Sequence, residues 1–184
     1  FYGYKVVGIG DNGDFLFQGA DGSAKSPAEI SETDKQILGN PTPDFTYGLN
    51  VNVAYKNWDL TAFFQGTYGN EIFAGAKYQF YFNPDYNHLV DALDSWTPTN
   101  TNASLPIAKT DNYNGGNSLP SSFYIEDGSY FRCKNLQIGY TFDSKLLKKT
   151  GFIQSARLFA GVTNLFTITS YSLYDPEVSS NTLF

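Results

Sequence analysis

The sequence predicts an all-β chain of antiparallel strands suited to crossing a membrane as part of a β-barrel with long extracellular loops. Three observations carry this. Two neighbouring segments, Phe45 to Tyr55 and Trp58 to Tyr68, largely alternate apolar residues with polar or small ones. Aromatic residues are 17% of the chain and charged residues only 16%, below the roughly 25% of an average soluble domain. Long irregular stretches flank that pair of segments, whereas only two residues join them.

Side chains on a strand point alternately to opposite faces. Phe45, Tyr47, Leu49, Val51, Val53 and Tyr55 therefore share one face, and Thr46, Gly48, Asn50, Asn52 and Ala54 the other. The returning segment places Trp58, Leu60, Ala62, Phe64, Gly66 and Tyr68 opposite Asp59, Thr61, Gln65 and Thr67. A Lys56-Asn57 turn pairs Tyr55 with Trp58 and keeps both apolar sets on one side. Aromatic residues at both ends of an aliphatic middle suit a strand that meets two membrane interfaces. About 10 residues at ~3.3 Å each, tilted ~40°, rise roughly 25 Å, the height of an outer-membrane apolar band. The alternation by itself fits a half-buried sheet in a soluble protein equally well.

The remaining elements follow in chain order. Phe1 to Phe17 predicts one or two short strands, closed by an Asp/Asn/Gly turn from Gly10 to Asp14. That cluster lacks the alternating acidic spacing of a calcium loop, so it is expected to be a plain turn. Gln18 to Asn40 is expected to be loop, in which Ser31-Glu32-Thr33-Asp34 suits the start of a short helix with Ser31 as its cap. Asn40-Pro41-Thr42-Pro43 stops any helix and extends the chain. Glu71 to Asp127 shows no strand period beyond Tyr81, and His88 to Asp94 offers one brief helical turn. So long a stretch without regular structure is unusual in a compact domain. It is ordinary in a barrel, whose extracellular loops are long and periplasmic turns short. A further strand is expected after Gly128, with Leu136, Ile138, Tyr140 and Phe142 on one face and Asn135, Gln137, Gly139 and Thr141 on the other. Ser144 to Thr150 suits a short helical piece, and Lys145, Lys148 and Lys149 a solvated turn. The partner strand sets Ala156, Leu158, Ala160, Val162 and Phe166 against Arg157, Gly161, Thr163 and Thr167, and a loop follows from Ser170.

Composition excludes several functions. The mean hydropathy of -0.31 and the lack of a run of ~18 apolar residues exclude membrane helices but not a barrel, whose inner face is polar. A net charge of -6 with no basic patch argues against nucleic acid. The single Cys133 forms no internal disulfide. With no Met and Phe as first residue, the sequence reads as a cleaved product or as part of something larger. His88 is the only histidine and no motif surrounds it, so neither a catalytic triad nor a zinc site is predicted. Glu126 and Asp127, adjacent in sequence, need no acid/base role. No cofactor and no metal site are expected.

Several stretches together resemble one family. They are FYGYK from Phe1; GNPTPDFTYG from Gly39; FFQG from Phe63 with Gly69-Asn70; and Trp96-Thr97-Pro98 with Asn100 to Asn102. Next come IEDGSYFR from Ile125, running into Lys134-Asn135-Leu136 and Gly139-Tyr140, then NLFT from Asn164 and YDPE from Tyr174. In this order and spacing they resemble the SusC/RagA class of TonB-dependent outer-membrane transporters of Bacteroidetes. The resemblance implies that residues 1–184 form a C-terminal part of a 22-stranded barrel, without its plug domain and closing strand. It also implies a TonB-contacting segment elsewhere, a SusD-like surface lipoprotein as partner, and import of oligosaccharides or oligopeptides. Two departures stand out. The Gln18 to Gln36 loop keeps only Asp21-Gly22 and Asp34 of a denser Asp/Asn/Gly pattern, so no metal site is carried over. Cys133 replaces the usual aliphatic residue.

The candidate site residues are therefore of two kinds. Leu49, Val51, Val53, Leu60, Phe64, Ile138 and Val162 are expected to face lipid. Trp96, Tyr81 and Tyr86 are expected to pack within the outer loops or meet a ligand or partner. Tyr78 to Phe82 reads foremost as the aromatic end of a strand or as packing, ahead of ligand contact. Asn50, Asn52, Gln65 and Gln137 are expected to line the lumen. The competing fold is a secreted soluble β-sandwich that binds carbohydrate through exposed aromatics, with a two-sheet core and no apolar outer surface. A small eight-stranded closed barrel lacks enough strands of sufficient length.

Overall fold

The computed structural model describes residues 1–110, 116–143, 147 and 151–177. The strands are β1 (Tyr2–Gly3), β2 (Val6–Ile9), β3 (Phe15–Gln18), β4 (Ala24–Lys25), β5 (Gln36–Ile37) and β6 (Phe45–Tyr55). They continue with β7 (Trp58–Tyr68), β8 (Glu71–Phe73), β9 (Ile125–Asp127), β10 (Tyr130–Thr141) and β11 (Arg157–Thr169). The chain divides into two compact units. A sheet unit holds Thr42–Asn70 and Gly128–Tyr171; a loop unit holds Phe1–Pro41, Glu71–Asp127 and the segment from Ser172 onward.

The sheet unit is a four-stranded antiparallel sheet in the order β11-β10-β7-β6. Its hairpin has the register expected from the sequence, with Tyr55 opposite Trp58, Leu49 opposite Phe64 and Phe45 opposite Tyr68. Lys56 takes φ 55 at the turn, the left-handed conformation that a two-residue hairpin turn of matching twist requires. Among the described residues β6 and β11 each pair on one side only, so the sheet is an open arc. Its apolar face is exposed: Leu49 is 56% and Val53 53% accessible. A sandwich would cover that face with a second sheet, and the sandwich reading fails on this point.

Strand β10 differs from the sequence reading in one respect. Cys133 lies opposite Phe64 and Asn135 opposite Phe63, so Lys134 is an extra residue, a β-bulge. Asn164, at φ 51, lies in the matching irregularity of β11. An extra residue reverses the parity of side-chain direction. Phe131 and Cys133 thereby join Leu136, Ile138 and Tyr140 on the apolar face. The bulge also keeps Arg132 on the polar face, where it is 3% exposed and its Nε donates to Thr167 Oγ1 at 2.8 Å.

The loop unit is more ordered than expected. It contains a three-stranded sheet β2-β3-β4 and the ribbons β1-β5 and β8-β9, although β4 and β5 fall in sequence expected to be loop. Its core is aromatic: Tyr4, Phe15, Phe17, Phe82 and Tyr124 are buried together, each burial being worth about 1.5–3 kcal/mol. Phe123 lies 5.3 Å from Phe15 and 5.6 Å from Phe82. Tyr78–Phe82 is not a strand end. It forms one π-helical turn, closed by the Asn83 N–H donating to Tyr78 O at 3.1 Å, and this turn delivers Phe82 into the core. The helical turn expected within His88 to Asp94 is a 3-10 helix over Val90–Asp94. That over Glu32–Asp34 forms as well, with the Ser31 N–H donating to the Asp34 carboxylate at 2.8 Å. The Gly10 to Asp14 turn has Gly13 at φ 84. Within the expected helical piece, 144–146 and 148–150 lie outside the described residues, as do Lys145, Lys148 and Lys149 themselves.

Candidate functional site

The apolar face of the sheet is laid out in bands. At the hairpin-turn end, Trp58 and Tyr140 pack at 4.8 Å and Tyr140 meets Phe142 edge-on at 5.2 Å, with Tyr55 beside Trp58 in register. At the other end Phe45 stacks on Tyr68 at 5.3 Å, Tyr47 on Phe131 at 6.4 Å and Phe64 on Phe131 at 5.5 Å. Between the bands lie Val51, Ala62, Leu136 and Val162 in one row, and Val53, Leu60, Ile138 and Ala160 in the next. All seven expected lipid-facing residues thus occupy one face. Leu49, Val53, Ile138 and Val162 are exposed, and Val51, Leu60 and Phe64 half-buried. Phe131, Cys133 and Phe166 complete the face; the bulge hid the first two from a simple period-two reading.

Gly66 has a specific role here. A Cβ at this position would overlap the Tyr47 ring. Its absence lets that ring cross β7 towards Phe131 while the Tyr47 hydroxyl donates to Tyr130 O at 3.0 Å. Gly139 plays the same part on the polar face. It lies beneath an ion pair in which Arg157 Nε donates to Asp59 Oδ1 at 3.1 Å, and a Cβ would strike both side chains. The polar face also carries Asn50, Asn52, Gln65 and Gln137, as expected, and two aromatics the alternation did not single out. Phe63 lies against Gly48. Phe159 is 60% exposed with the Arg157 guanidinium 5.4 Å from its centroid.

The three loop aromatics are not brought into one constellation. Trp96 is buried; its ring occupies the space a Cβ on Gly13 would need, and its backbone N–H donates to Leu105 O at 2.9 Å. Tyr81 is half-buried, edge-on to Phe123 at 5.9 Å, and burial followed by the charge of Asp91 pushes its hydroxyl pKa up. Tyr86 is 56% exposed. His88 is exposed, with Nε2 3.2 Å from Asn83 O. Glu126 accepts from Lys77 Nζ at 2.6 Å and from the Ser172 N–H and hydroxyl at 2.7 Å each, which ties the chain after β11 to β9. Burial raises the Glu126 pKa, but these donors outweigh it and leave the value lowered.

No protein-family model matches the chain. It is 36% identical over 195 residues to TonB-dependent receptor P3 of Formosa agariphila, covering 97% of this chain and 18% of that protein. It is 28% identical over 151 residues to TonB-dependent receptor SusC of Bacteroides thetaiotaomicron, covering 82% of this chain and 14% of that one. Among solved structures, the RagAB peptide importer in its closed-closed state superposes with a TM-score of 0.79 at 26% identity, over 98% of this chain and 20% of that one. The chain thus spans a fifth or less of the length of these relatives, which are receptors and transporters rather than enzymes. In sequence and in fold it belongs to the SusC/RagA class of TonB-dependent outer-membrane transporters, and it matches a C-terminal segment of such a barrel.

Proposed function

We propose that residues 1–184 form part of the wall and outer mouth of an energised outer-membrane importer. The four-stranded sheet is the wall, with Leu49, Val51, Val53, Leu60, Phe64, Ile138 and Val162 against lipid and the Asn/Gln face towards the lumen. The loops from Gly10 to Pro43 and Glu71 to Asp127 supply the outer mouth. The solute is an oligosaccharide or oligopeptide, a SusD-like lipoprotein is the surface partner, and the TonB complex acts through parts of the protein outside this chain. The protein performs no covalent chemistry. The observation that carries the reading is the exposed apolar face bracketed by aromatics, since such a face in register over four strands needs a non-aqueous medium against it. One solved relative is described as a peptide importer, which supports the oligopeptide class.

The test uses the full-length transporter in native membranes. In a Cys133→Ala background, single cysteines at the seven apolar positions should react with a lipid-soluble maleimide and resist a water-soluble one, and cysteines at Asn50, Asn52 and Gln137 should do the reverse. Equal reactivity of both sets towards the water-soluble reagent would overturn the wall reading. Gene deletion should abolish uptake of at least one of the oligosaccharides or oligopeptides tested; unchanged uptake of all of them would overturn the transport reading.

A further inference from the structure

We infer that residues 94–109 form a lid that lifts as one body from the Gly10 to Asp14 turn and uncovers Tyr81 and Phe82. The Asp14 carboxylate is its clasp and the Trp96 ring its pin. All of these residues belong to the loop unit, and the inference stands apart from the transport reading.

The segment closes on itself. The Trp96 N–H donates to Leu105 O at 2.9 Å, and the Asn100 N–H to Thr97 O at 2.9 Å. The Asp94 carboxylate accepts from Asn100 Nδ2 at 3.0 Å and from the Ser104 hydroxyl at 3.1 Å. A surface loop with joined ends and its own internal bonds is an Ω-loop, a unit able to keep its shape while it moves. Little apolar surface holds it down: within 94–109 only Trp96, Leu105 and Pro106 are buried.

The fastening is concentrated on one turn. Gly13 O accepts from the Ile107 N–H at 2.8 Å, and the Trp96 ring fills the space a Cβ on Gly13 would take. Asp14 Oδ1 accepts from Lys109 Nζ at 2.5 Å and from Asn117 Nδ2 at 2.9 Å. Asn117 Oδ1 in turn accepts from the Phe15 N–H at 2.6 Å. One carboxylate thus joins the end of the segment to β3, whose Phe15 and Phe17 lie in the aromatic core. Leu105 and Ile107 line a cleft together with Tyr81, Phe82 and His88. Lifting the segment removes one wall of that cleft and bares the two rings of the π turn.

The experiment is amide hydrogen exchange of the full-length transporter in lipid. The Ile107 amide bonds across to the turn, whereas those of Trp96 and Asn100 bond within the segment. Lifting as one body therefore breaks the first and keeps the other two. In wild type Ile107 should exchange at least about tenfold faster than the β3 amides. Lys109→Met should speed Ile107 about threefold to tenfold and leave Trp96 and Asn100 unchanged. Gly13→Ala, whose Cβ would meet Trp96 and Ile107, should do the same from the turn. Lys35→Met, which breaks the Lys35–Glu32 pair elsewhere in the unit, should leave Ile107 unchanged. Hydroxyl-radical labelling of Tyr81 and Phe82 should rise with Ile107 exchange. Equal speeding of Ile107, Trp96 and Asn100 means that the segment unravels, and overturns the lid. So does an Ile107 amide that exchanges only with β3. An Ile107 rate unmoved by Lys109→Met, or moved equally by Lys35→Met, overturns the clasp. Unchanged labelling of both rings overturns the uncovering.

Discussion

Deleting Lys134 tests the reading of the sheet at its most sensitive point. Lys134 is the extra residue between Cys133, opposite Phe64, and Asn135, opposite Phe63. Without it the strand from Tyr130 to Cys133 reverses its faces. Arg132, now buried on the polar side beside Thr167, would turn to the apolar face, and Phe131 would leave its stack on Phe64 and Tyr47. An arginine on the lipid face costs about 2–4 kcal/mol at the midplane and falls to about 0–1 near the interfaces. Arg132 pairs with Gln65, roughly halfway between, so about 1–3 kcal/mol applies. Moving Phe131 out of its apolar surroundings adds about 2 kcal/mol. The expected total is about 3–5 kcal/mol, or two to four orders of magnitude in the unfolding equilibrium. Lys134→Ala keeps the residue count and the bulge, and should cost no more than about 1 kcal/mol. Urea unfolding of the full-length transporter in lipid, followed by heat-modifiable migration, measures both. If the deletion and the alanine variant unfold at the same urea concentration, the parity argument is refuted.

Three further outcomes follow from named contacts. Gly139→Ala should cost about 1–3 kcal/mol by overpacking, and clearly less in an Asp59→Ala background, because the added Cβ meets the Asp59–Arg157 pair; additive losses in urea midpoints would exclude that contact. The Lys25 ammonium above all, with the Ala20 and Ser31 N–H groups, holds the Asp34 carboxyl well below its ordinary range. A lowered folded pKa contributes stability above the unfolded value of about 4 that is lost as pH falls towards the folded one, so protease resistance of the loop unit should drop below about pH 4 in wild type and drop clearly less steeply in Asp34→Asn, where the other carboxyls with lowered pKa, Glu126 among them, still titrate. Brominated lipid should quench the fluorescence that Trp58→Phe removes, since Trp58 is 52% exposed on the apolar face, and not the fluorescence that Trp96→Phe removes, since Trp96 is 8% exposed; equal quenching would count against the membrane assignment.

The two units differ in how much of them the sequence discloses, and the reason is what each one buries against. A wall strand meets a uniform medium on each face, so its constraint is local: every second residue apolar, whatever the neighbour. Phe45 to Tyr68 obeys that rule everywhere except at Phe63, and its faces, turn and register were legible. The rule breaks only where the residue count breaks. Apolar residues at 131 and 133 and then at 136, 138 and 140 demand one extra residue between the two phases, which is what Lys134 supplies; that change of parity was the available signal. The loop unit buries against itself. Its core joins Phe15 and Phe17 to Phe82 and Tyr124, residues far apart in the chain, through strands of two to four residues that are too short to show a period. Tyr78 to Phe82 looks like a strand because its aromatics are dense, yet packing against Phe15 and Phe123 winds it into a π turn. The polar face adds a third case. Phe63 and Phe159 interrupt an otherwise hydrophilic alternation, and no local rule predicts them; on the wall reading proposed above, that face answers to whatever occupies the lumen. Where the surroundings are a solvent, period suffices; where they are other residues, the pattern is written across the chain and only the fold assembles it.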